Sequence, residues 1–383
     1  MDFRFTPEQE KFREEIRQFI ATEVTDEMYE ELSNEGEQGL GPHTWELMRI
    51  LGKKRWLAPA FPEEYGGMST TRWQQFILSD EMSYHRCFLQ IAGVAIVGPT
   101  LLQYGSKEQI HKYLPPIARG EIEFALGYSE AEAGSDLANL QLKAEKKGDF
   151  YVLNGQKLFN SGCHYAQYLW LAVRTDPNAP KHKGISLLIA DMNAPGITVR
   201  PLWVMDGGRT NEVFYDDVKV PVENLVGEEN KGFYYILTAL AHERNFPVGG
   251  LRRTFEEFVD YVKERGLGKD PVVRQKVAQL AAELQATELL SYRVTYLMDN
   301  NKAPNWEAPV IKLYWTEFMG RFSDTAMEIM GPFGQLQKGT KWAPLKGRIE
   351  NLYRHAPRRC VTAGTSEIMR NNIATVGLGL PRG

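Results

Sequence analysis

The sequence predicts an α+β protein with three parts: an N-terminal helical bundle, a middle antiparallel β-barrel or sandwich, and a C-terminal four-helix bundle. Residues 1–120 begin with Thr6-Pro7-Glu8-Gln9, which supplies an N-cap, a proline at the first helical position and a capping-box glutamine. Residues 121–233 change to short runs rich in β-branched and aromatic residues between turns. Residues 234–383 return to long amphipathic segments, which typically pack as an antiparallel bundle. We therefore expect domains at 1–120, 121–233 and 234–383.

The helices of the two outer regions follow from apolar residues at helical spacing. After the capping box these residues are Phe12, Ile16, Phe19 and Ile20. The stretch Leu89–Leu102 predicts one buried helix, because it is too short and too rich in glycine to span a bilayer. In the third region, "DPVVRQKVAQLAAELQATELLSYRVTYLM" and "APVIKLYWTEFMGRFSDTAMEIMG" predict two long helices.

The strands of the middle region follow from β-propensity and turn signals. The run "FYVLNGQKLF" predicts a hairpin, with two short strands joined at Asn154-Gly155, since Asn-Gly is a strong hairpin signal. Further strands are predicted at "YLWLAVRT", "GISLLIADM", "ITVRPL" and "NEVFYDDVKVP".

The composition excludes several classes of protein. The chain has 383 residues, of which 43% are apolar and 25% charged, as in ordinary globular proteins. Its net charge of −4 gives no electrostatic footprint for nucleic acid. Three widely spaced cysteines favour a reducing compartment and match no metal-ligand spacing. Because the N-terminus has no apolar signal segment, we expect a cytoplasmic protein that binds no membrane.

Two polar segments are candidates for a functional site. Leu126–Leu140, "LGYSEAEAGSDLANL", combines two serines, two glutamates and a glycine where helix gives way to strand. It is interpreted either as a capped polar loop or as a backbone cradle for a cofactor with phosphates and a polar ring. Near the C-terminus, "CVTAGTSEIMRNNIA" places a small-residue turn before a helix, and helix N-termini attract anionic groups.

The first of these segments resembles the flavin-binding loop of the acyl-CoA dehydrogenase family, Thr/Ser-Glu-Pro-x-Ala-Gly-Ser-Asp. Three further motifs resemble that family and occur in its order: "LNGQKLFNSG", "EVFYDDVKVPVENLVGEENKGF" and "AGTSEIMRNNIA". The resemblance covers nearly the whole chain, and the C-terminal Gly-Leu-Pro-Arg is similar to a branch that includes subunits of heteromeric dehydrogenases. It implies FAD as cofactor, an acyl-CoA substrate oxidised to the 2-enoyl-CoA, and an electron-transfer flavoprotein as acceptor.

The resemblance also assigns residues to FAD. Phe159 takes the place of the family's tryptophan beside the isoalloxazine ring, and Ser161 that of the threonine near its N5 atom. The family's Arg-x-x-Phe-Gly element is altered to "ERGLGKDPVVRQ", which leaves Arg265 and Gln275 as its equivalents. The full set of expected cofactor contacts is Tyr128, Ser129, Gly134, Ser135, Phe159, Ser161, Arg265, Gln275, Glu328, Gly334, Thr365 and Glu367. For Phe159 and Thr365 the alternatives are a core residue and a helix cap.

The catalytic base implied by the resemblance is Glu243. Many relatives carry it as the Glu of Glu-Gly-Thr, but Ala363 stands at that position here. The family's other position for the base is a Glu-Arg pair on the first helix of the third domain, which matches Glu243 and Arg244. His242 is the rival base, although it points about 100° away on a helix.

The resemblance also implies substrate residues and an oligomeric state. Ser135, Arg244, Arg86 and Ala363 are the expected substrate residues, with Arg86 near the arginine that glutaryl-CoA dehydrogenases use for a distal carboxylate. A small Ala363 favours a branched, cyclic or aromatic acyl group. We expect a homotetramer or an α2β2 heterotetramer. An acyl-CoA oxidase, an enoyl-CoA reductase and a non-catalytic partner subunit remain alternatives on the same scaffold.

Overall fold

Helices occupy both ends of the chain and strands its middle in the computed structural model, which describes residues 3–33, 39–89, 91–242 and 246–381. The helices before the sheet are α1 (Pro7–Glu23), α2 (Asp26–Ser33), α3 (Pro42–Lys53), α4 (Arg72–Tyr84), α5 (Gly98–Tyr104) and α6 (Lys107–Ala118). Those after it are α7 (Gly232–His242), α8 (Gly249–Glu264), α9 (Pro271–Asp299), α10 (Glu307–Met330), α11 (Arg348–Val361) and α12 (Ser366–Asn372). Within the described ranges, no helix is both long enough and apolar enough to cross a membrane.

The first helix begins where the capping box predicts. The Thr6 side chain accepts a hydrogen bond from the Gln9 backbone N–H, and the Gln9 side chain accepts one from the Thr6 N–H. These two bonds satisfy amide donors that a helix start otherwise leaves without partners. The predicted apolar face of α1 is buried, at Phe12, Ile16, Phe19 and Ile20.

The segment predicted as one buried helix is interrupted. Gly93–Val97 forms a π-helical turn that leads directly into α5. Glu123 accepts hydrogen bonds through one carboxylate oxygen from the backbone N–H groups of Gly93, at 2.8 Å, and Phe124, at 2.9 Å. The expectation of a continuous α-helix is wrong here, because apolar spacing does not distinguish a short π-helical insertion from the α-helix around it.

In the part of the chain that the structure describes, seven strands form one sheet. They are β1 (Phe124–Gly127), β2 (Lys143–Lys147), β3 (Phe150–Lys157), β4 (Tyr168–Arg174), β5 (Ile185–Asp191), β6 (Ile197–Trp203) and β7 (Arg209–Pro221). Their order is β1-β4-β2-β3-β7-β6, with β5 paired to β4. Most pairs are antiparallel, as expected, but both β1 and β2 run parallel to β4. The strands β4 and β5 are almost entirely buried, since both faces are covered by apolar side chains.

The hairpin predicted at Asn154-Gly155 is wrong. Both residues lie within the single strand β3, where the register against β7 shifts between Leu153 and Gly155. Gly155 has a φ of +142°, and the Asn154 side chain exchanges two hydrogen bonds of 3.0 Å with Asp217 on β7. The Asn-Gly pair therefore forms a β-bulge. A bulge and a tight turn both use the conformational freedom of glycine, so the local sequence does not distinguish between them.

The chain divides into two compact units. The first unit contains Met1–Val24, Thr71–Phe88 and Arg244–Gly383, and its core includes the aromatic rings of Phe258, Phe318 and Phe322. The second unit contains Thr25–Thr70 and Leu89–Glu243, and its cores cover the two faces of β4. The three domains expected from the sequence stay a prediction, since these units group helices from both ends of the chain.

Candidate functional site

The first candidate segment forms a loop between β1 and β2, here called the 128–142 loop. It starts with a tight turn in which Glu130 and Ala133 exchange two backbone hydrogen bonds of 3.1 and 3.2 Å. Gly134 and Ser135 are exposed, and a Cβ added at Gly134 would meet no atom within 4 Å. The loop therefore presents open backbone at the two positions expected to face phosphates.

An ion pair lies beneath this loop. The Glu130 carboxylate accepts hydrogen bonds from Gln141 N at 2.6 Å, from Leu142 N at 2.9 Å and from Lys157 Nζ at 2.7 Å. Lys157 also donates to the Tyr128 carbonyl at 3.0 Å, and its side chain is completely buried. Burial lowers the pKa of Lys157 to about 8, although the adjacent carboxylate acts in the opposite direction. Sequence reasoning missed Lys157, whose only signal was its place in the Asn-Gly-x-Lys motif.

The second flavin motif lies against the start of the 128–142 loop. Leu158 N donates to the Ser129 carbonyl at 2.9 Å, and the Asn160 side chain donates to the Leu126 carbonyl at 2.8 Å. The structure thus brings Ser129 together with the segment that carries Phe159 and Ser161. These are two of the four motifs that the sequence assigns to one cofactor.

Phe159 and Ser161 differ in their surroundings. The Phe159 side chain is 58% exposed, and its backbone has a φ of +60°. The alternative that Phe159 is a core residue is therefore wrong. Ser161 is exposed, and its hydroxyl donates to the Thr210 hydroxyl at 3.1 Å. An exposed aromatic ring next to an exposed hydroxyl suits contact with a planar polar ring system.

The closing turn, residues 362–367, belongs to the first unit and joins α11 to α12. Thr365 caps α12 by accepting a hydrogen bond from Ile368 N at 3.2 Å, so the helix-cap interpretation of this residue is confirmed. Ala363 and Gly364 have φ values of +53° and +96°, in the left-handed region that favours glycine. Lys312, on α10 and 5% exposed, donates to the Gly364 carbonyl at 2.5 Å and to the Cys360 carbonyl at 3.4 Å.

The residues after Thr365 combine an exposed and a buried polar group. Glu367 is exposed, and its pKa is lowered by its own backbone amide and by the Thr365 side chain. The Ser366 hydroxyl is buried and has no hydrogen-bond partner among the described residues. A buried hydroxyl without a partner is an unusual arrangement in a folded protein.

Four other expected cofactor residues lie near one another through their sequence neighbours. Arg265 ends α8, and its guanidinium lies 5.9 Å from the ring of Phe333, which precedes the buried Gly334. Glu328 forms an ion pair with Lys276, which follows the exposed Gln275. Their contact with FAD stays a prediction.

The expected base cannot be placed in the same way. Glu243 and Arg244 lie outside the described residues, and the rival His242 is the last residue of α7. Arg86 is engaged with protein: its guanidinium pairs with Glu257 at 2.8 Å, and Arg348 pairs with the same carboxylate at 2.9 Å. The binding of a substrate carboxylate by Arg86 stays a prediction.

The residues present fit the FAD that the sequence motifs imply. The second unit offers open backbone at Gly134 and the exposed side chains of Phe159 and Ser161. Backbone amides, hydroxyls and an aromatic ring are the groups that bind phosphates and a polar heterocycle.

Comparisons with known proteins identify the family. Models of the acyl-CoA dehydrogenase N-terminal, middle and C-terminal domains match residues 6–121, 125–218 and 230–378. The chain is 37% identical to acyl-CoA dehydrogenase FadE26 of Mycobacterium tuberculosis (strain ATCC 25618 / H37Rv) over 397 residues, which cover 100% of this chain and 99% of the relative.

Two solved structures are similar over their whole length. The structure titled "Tcur3481-Tcur3483 steroid ACAD" has a TM-score of 0.94 and 37% identity, covering 100% of both chains. The ChsE4-ChsE5 complex from Mycobacterium tuberculosis has a TM-score of 0.92 and 35% identity, also covering 100% of both chains. The chain therefore belongs to the acyl-CoA dehydrogenase family, whose members are FAD-dependent oxidoreductases.

Proposed function

We propose that this protein removes one hydrogen from each of Cα and Cβ of an acyl-CoA thioester and that Glu243 is the base. One observation carries the proposal: the closing turn has Ala363, without a carboxylate, in a left-handed conformation fixed by Lys312 and by the Thr365 cap. A base is still required for an α-proton, and the Glu-Arg pair at Glu243 and Arg244 supplies the alternative family position.

The proposed reaction balances without a further reagent. The Glu243 carboxylate takes the α-proton, and the electron pair left on Cα forms the new double bond as hydride leaves Cβ. FAD, when bound, supplies the acceptor for that hydride. Tyr128, Ser129, Gly134, Ser135, Thr365 and Glu367 hold the cofactor in this proposal, with Phe159 and Ser161 beside its ring. Arg244 binds a phosphate of CoA, since its charge does not depend on pH in the working range.

The substrate class we propose is a ring-bearing acyl-CoA. A relative over the full length is titled a steroid acyl-CoA dehydrogenase, which supports a large cyclic group. The absence of a carboxylate at Ala363 leaves volume where relatives with Glu-Gly-Thr have a side chain. A straight-chain, a branched and a dicarboxylic thioester are the comparison substrates.

The decisive experiment compares anaerobic flavin reduction in three proteins: the wild type, Glu243→Gln and His242→Gln. Glu243→Gln keeps the size and removes the basicity, so FAD binding should persist while flavin reduction slows roughly 10²–10⁴-fold. His242→Gln, one position away on the same segment, should reduce flavin at a rate close to that of the wild type. Near-normal reduction in Glu243→Gln would remove Glu243 from the mechanism, and slow reduction in His242→Gln would make histidine the base.

A second candidate function is that of a partner subunit. The titles of two similar structures each name two proteins, Tcur3481-Tcur3483 and ChsE4-ChsE5, which supports an α2β2 assembly in place of a homotetramer. The chain purified alone and reconstituted with FAD distinguishes these roles. Flavin reduction by the isolated chain supports a catalytic homomer, whereas reduction only after addition of a second subunit supports the heteromer.

The electron acceptor is also part of the proposal. We propose an electron-transfer flavoprotein, and reduced enzyme should therefore pass electrons to that protein faster than to oxygen. Rapid oxygen consumption by the reduced enzyme would favour an acyl-CoA oxidase. Formation of the saturated thioester from an enoyl-CoA and reduced acceptor would favour an enoyl-CoA reductase.

A further inference from the structure

The 128–142 loop is closed at its base by one ion pair. Lys157 Nζ binds the Tyr128 carbonyl at the start of the loop, and it also binds Glu130. The Glu130 carboxylate in turn accepts hydrogen bonds from the backbone N–H groups of Gln141 and Leu142 at the end of the loop. Two side chains therefore connect both ends of a 15-residue segment whose exposed middle contains Gly134 and Ser135.

This ion pair adds little net free energy to the stability of the fold. A lysine with no exposed surface loses its hydration, and that cost is recovered only when the partners are well placed. Leu142, whose backbone N–H bonds Glu130, is itself almost completely buried in an apolar core. A buried ion pair is therefore weak evidence for stability, and one attested use of such a pair is to specify a single backbone geometry.

Other hydrogen bonds also hold the loop. The buried Arg174 donates to the carbonyls of Ala138, at 2.7 Å, and Leu140, at 3.1 and 3.2 Å, so it holds the segment that precedes β2. Arg174 thus bonds near the end of the loop, whereas Lys157 bonds at Tyr128 and Glu130 near its start. Ser129 lies between these two residues, and its carbonyl accepts a hydrogen bond from the backbone N–H of Leu158, the residue after Lys157.

We propose that Lys157, through its ion pair with Glu130, is a positioning residue for FAD: it fixes the base of the 128–142 loop and so presents Ser129 and the open backbone at Gly134 to the cofactor. A loop held in its bound conformation binds more tightly, because less conformational entropy is lost on binding. The proposal rests on FAD binding and does not depend on Glu243 as the base.

The test measures the dissociation constant of FAD with apoprotein for Lys157→Met, Glu130→Gln and the double variant. Lys157→Met alone leaves a carboxylate without its cation and can lower stability, so the double variant is the deciding protein. Lys219→Met is the control, since Lys219 is exposed on the neighbouring strand β7. The far-ultraviolet circular dichroism and the melting temperature of each apoprotein are recorded in parallel.

We expect the double variant to have a native circular dichroism spectrum and a dissociation constant roughly 10- to 100-fold above that of the wild type. Flavin reduction at saturating FAD should recover, because the variant loses cofactor affinity rather than a reacting group. The control should bind FAD like the wild type. A folded double variant with wild-type affinity overturns the proposal. A double variant that does not fold also overturns it, since the pair would then serve the fold and not the cofactor.

Discussion

Replacing Glu123 with glutamine should make the protein more stable at alkaline pH and leave it nearly unchanged at acidic pH. Glu123 is buried between β1 and the π-helical turn at Gly93–Val97, and its second carboxylate oxygen has no hydrogen-bond partner among the described residues. Burial raises the pKa of Glu123 to about 8, although the backbone N–H groups of Gly93, Phe124 and Ala92 act in the opposite direction.

The sign follows from proton binding in the two states. The folded protein keeps the Glu123 proton up to about pH 8, whereas an unfolded glutamate loses it near its ordinary pKa of 4.5. Between these values the unfolded state binds fewer protons, so the free energy of unfolding falls as pH rises and stays low above pH 8. The difference in pKa corresponds to roughly 4–5 kcal/mol, because a tenfold change in proton affinity is about 1.4 kcal/mol.

Glutamine resembles the protonated carboxyl and has no proton to lose. Melting temperatures of wild type and Glu123→Gln should therefore be similar near pH 5 and diverge by several degrees by pH 9, with the variant higher. Glu121→Gln is the matched control: Glu121 is exposed, and hydrogen bonding to Arg119 lowers its pKa, so the alkaline gain should be absent. A difference between wild type and Glu123→Gln that stays constant from pH 5 to pH 9 would refute a protonated Glu123.

Substitutions at three other positions probe the closing turn and the first unit, and one at a fourth position tests the substrate. Ala363→Gly should be neutral or slightly stabilising in thermal melts. Relief of the left-handed backbone strain, about 1–2 kcal/mol, is offset by the greater conformational entropy that glycine loses on folding, about 0.5–1 kcal/mol. Ala363→Val should lower the melting temperature. Lys312→Met should weaken FAD binding in apoprotein titrations, since the Gly364 carbonyl loses its buried donor; unchanged affinity would contradict a role in the turn. Glu81→Ala should cost roughly 1–3 kcal/mol in urea unfolding, because the buried carboxylate accepts hydrogen bonds from two arginines of α1, and no measurable loss would show that water replaces it. Arg86→Ala should raise KM for a carboxylated acyl-CoA far more than for its uncharged analogue if Arg86 contacts substrate, and equal effects would exclude that contact.

Local signals predicted the elements whose causes are local. The Thr6 capping box and the four strands from β4 to β7 were all predicted, because caps and β-propensity act within a few residues. The π-helical turn at Gly93–Val97 was not predicted, since it depends on a carboxylate thirty residues away at Glu123. The bulge at Asn154-Gly155 likewise depends on Asp217 on another strand. Non-local partners of this kind leave no trace in the pattern of a single segment.

At the candidate site, too, local motifs were predictive and contacts between distant segments were not. Family motifs predict Ser129 and Ser161 as cofactor residues, and the structure brings their segments together through a backbone bond. Exposure of Phe159 and the left-handed Ala363 became visible only with coordinates. Lys157 was overlooked because a lysine in a strand pattern is assigned to the solvent side, whereas its partner Glu130 lies on a loop twenty-seven residues earlier.

The division of the chain into two units has a consequence for the order in which the protein is made. The second unit is complete once residue 243 has left the ribosome, but the first unit joins α1 and α4 to helices that follow that point. In the finished protein α1 packs on α4, and α4 packs on α8. More than half of the chain is therefore synthesised after α1 before α4 and α8 are both present. Until then the apolar face of α1, with Phe12 and Ile16, lacks part of its packing. During that interval the N-terminal helices are candidates for chaperone binding, and a nascent chain stalled before α8 would carry a folded second unit beside an unfinished first one.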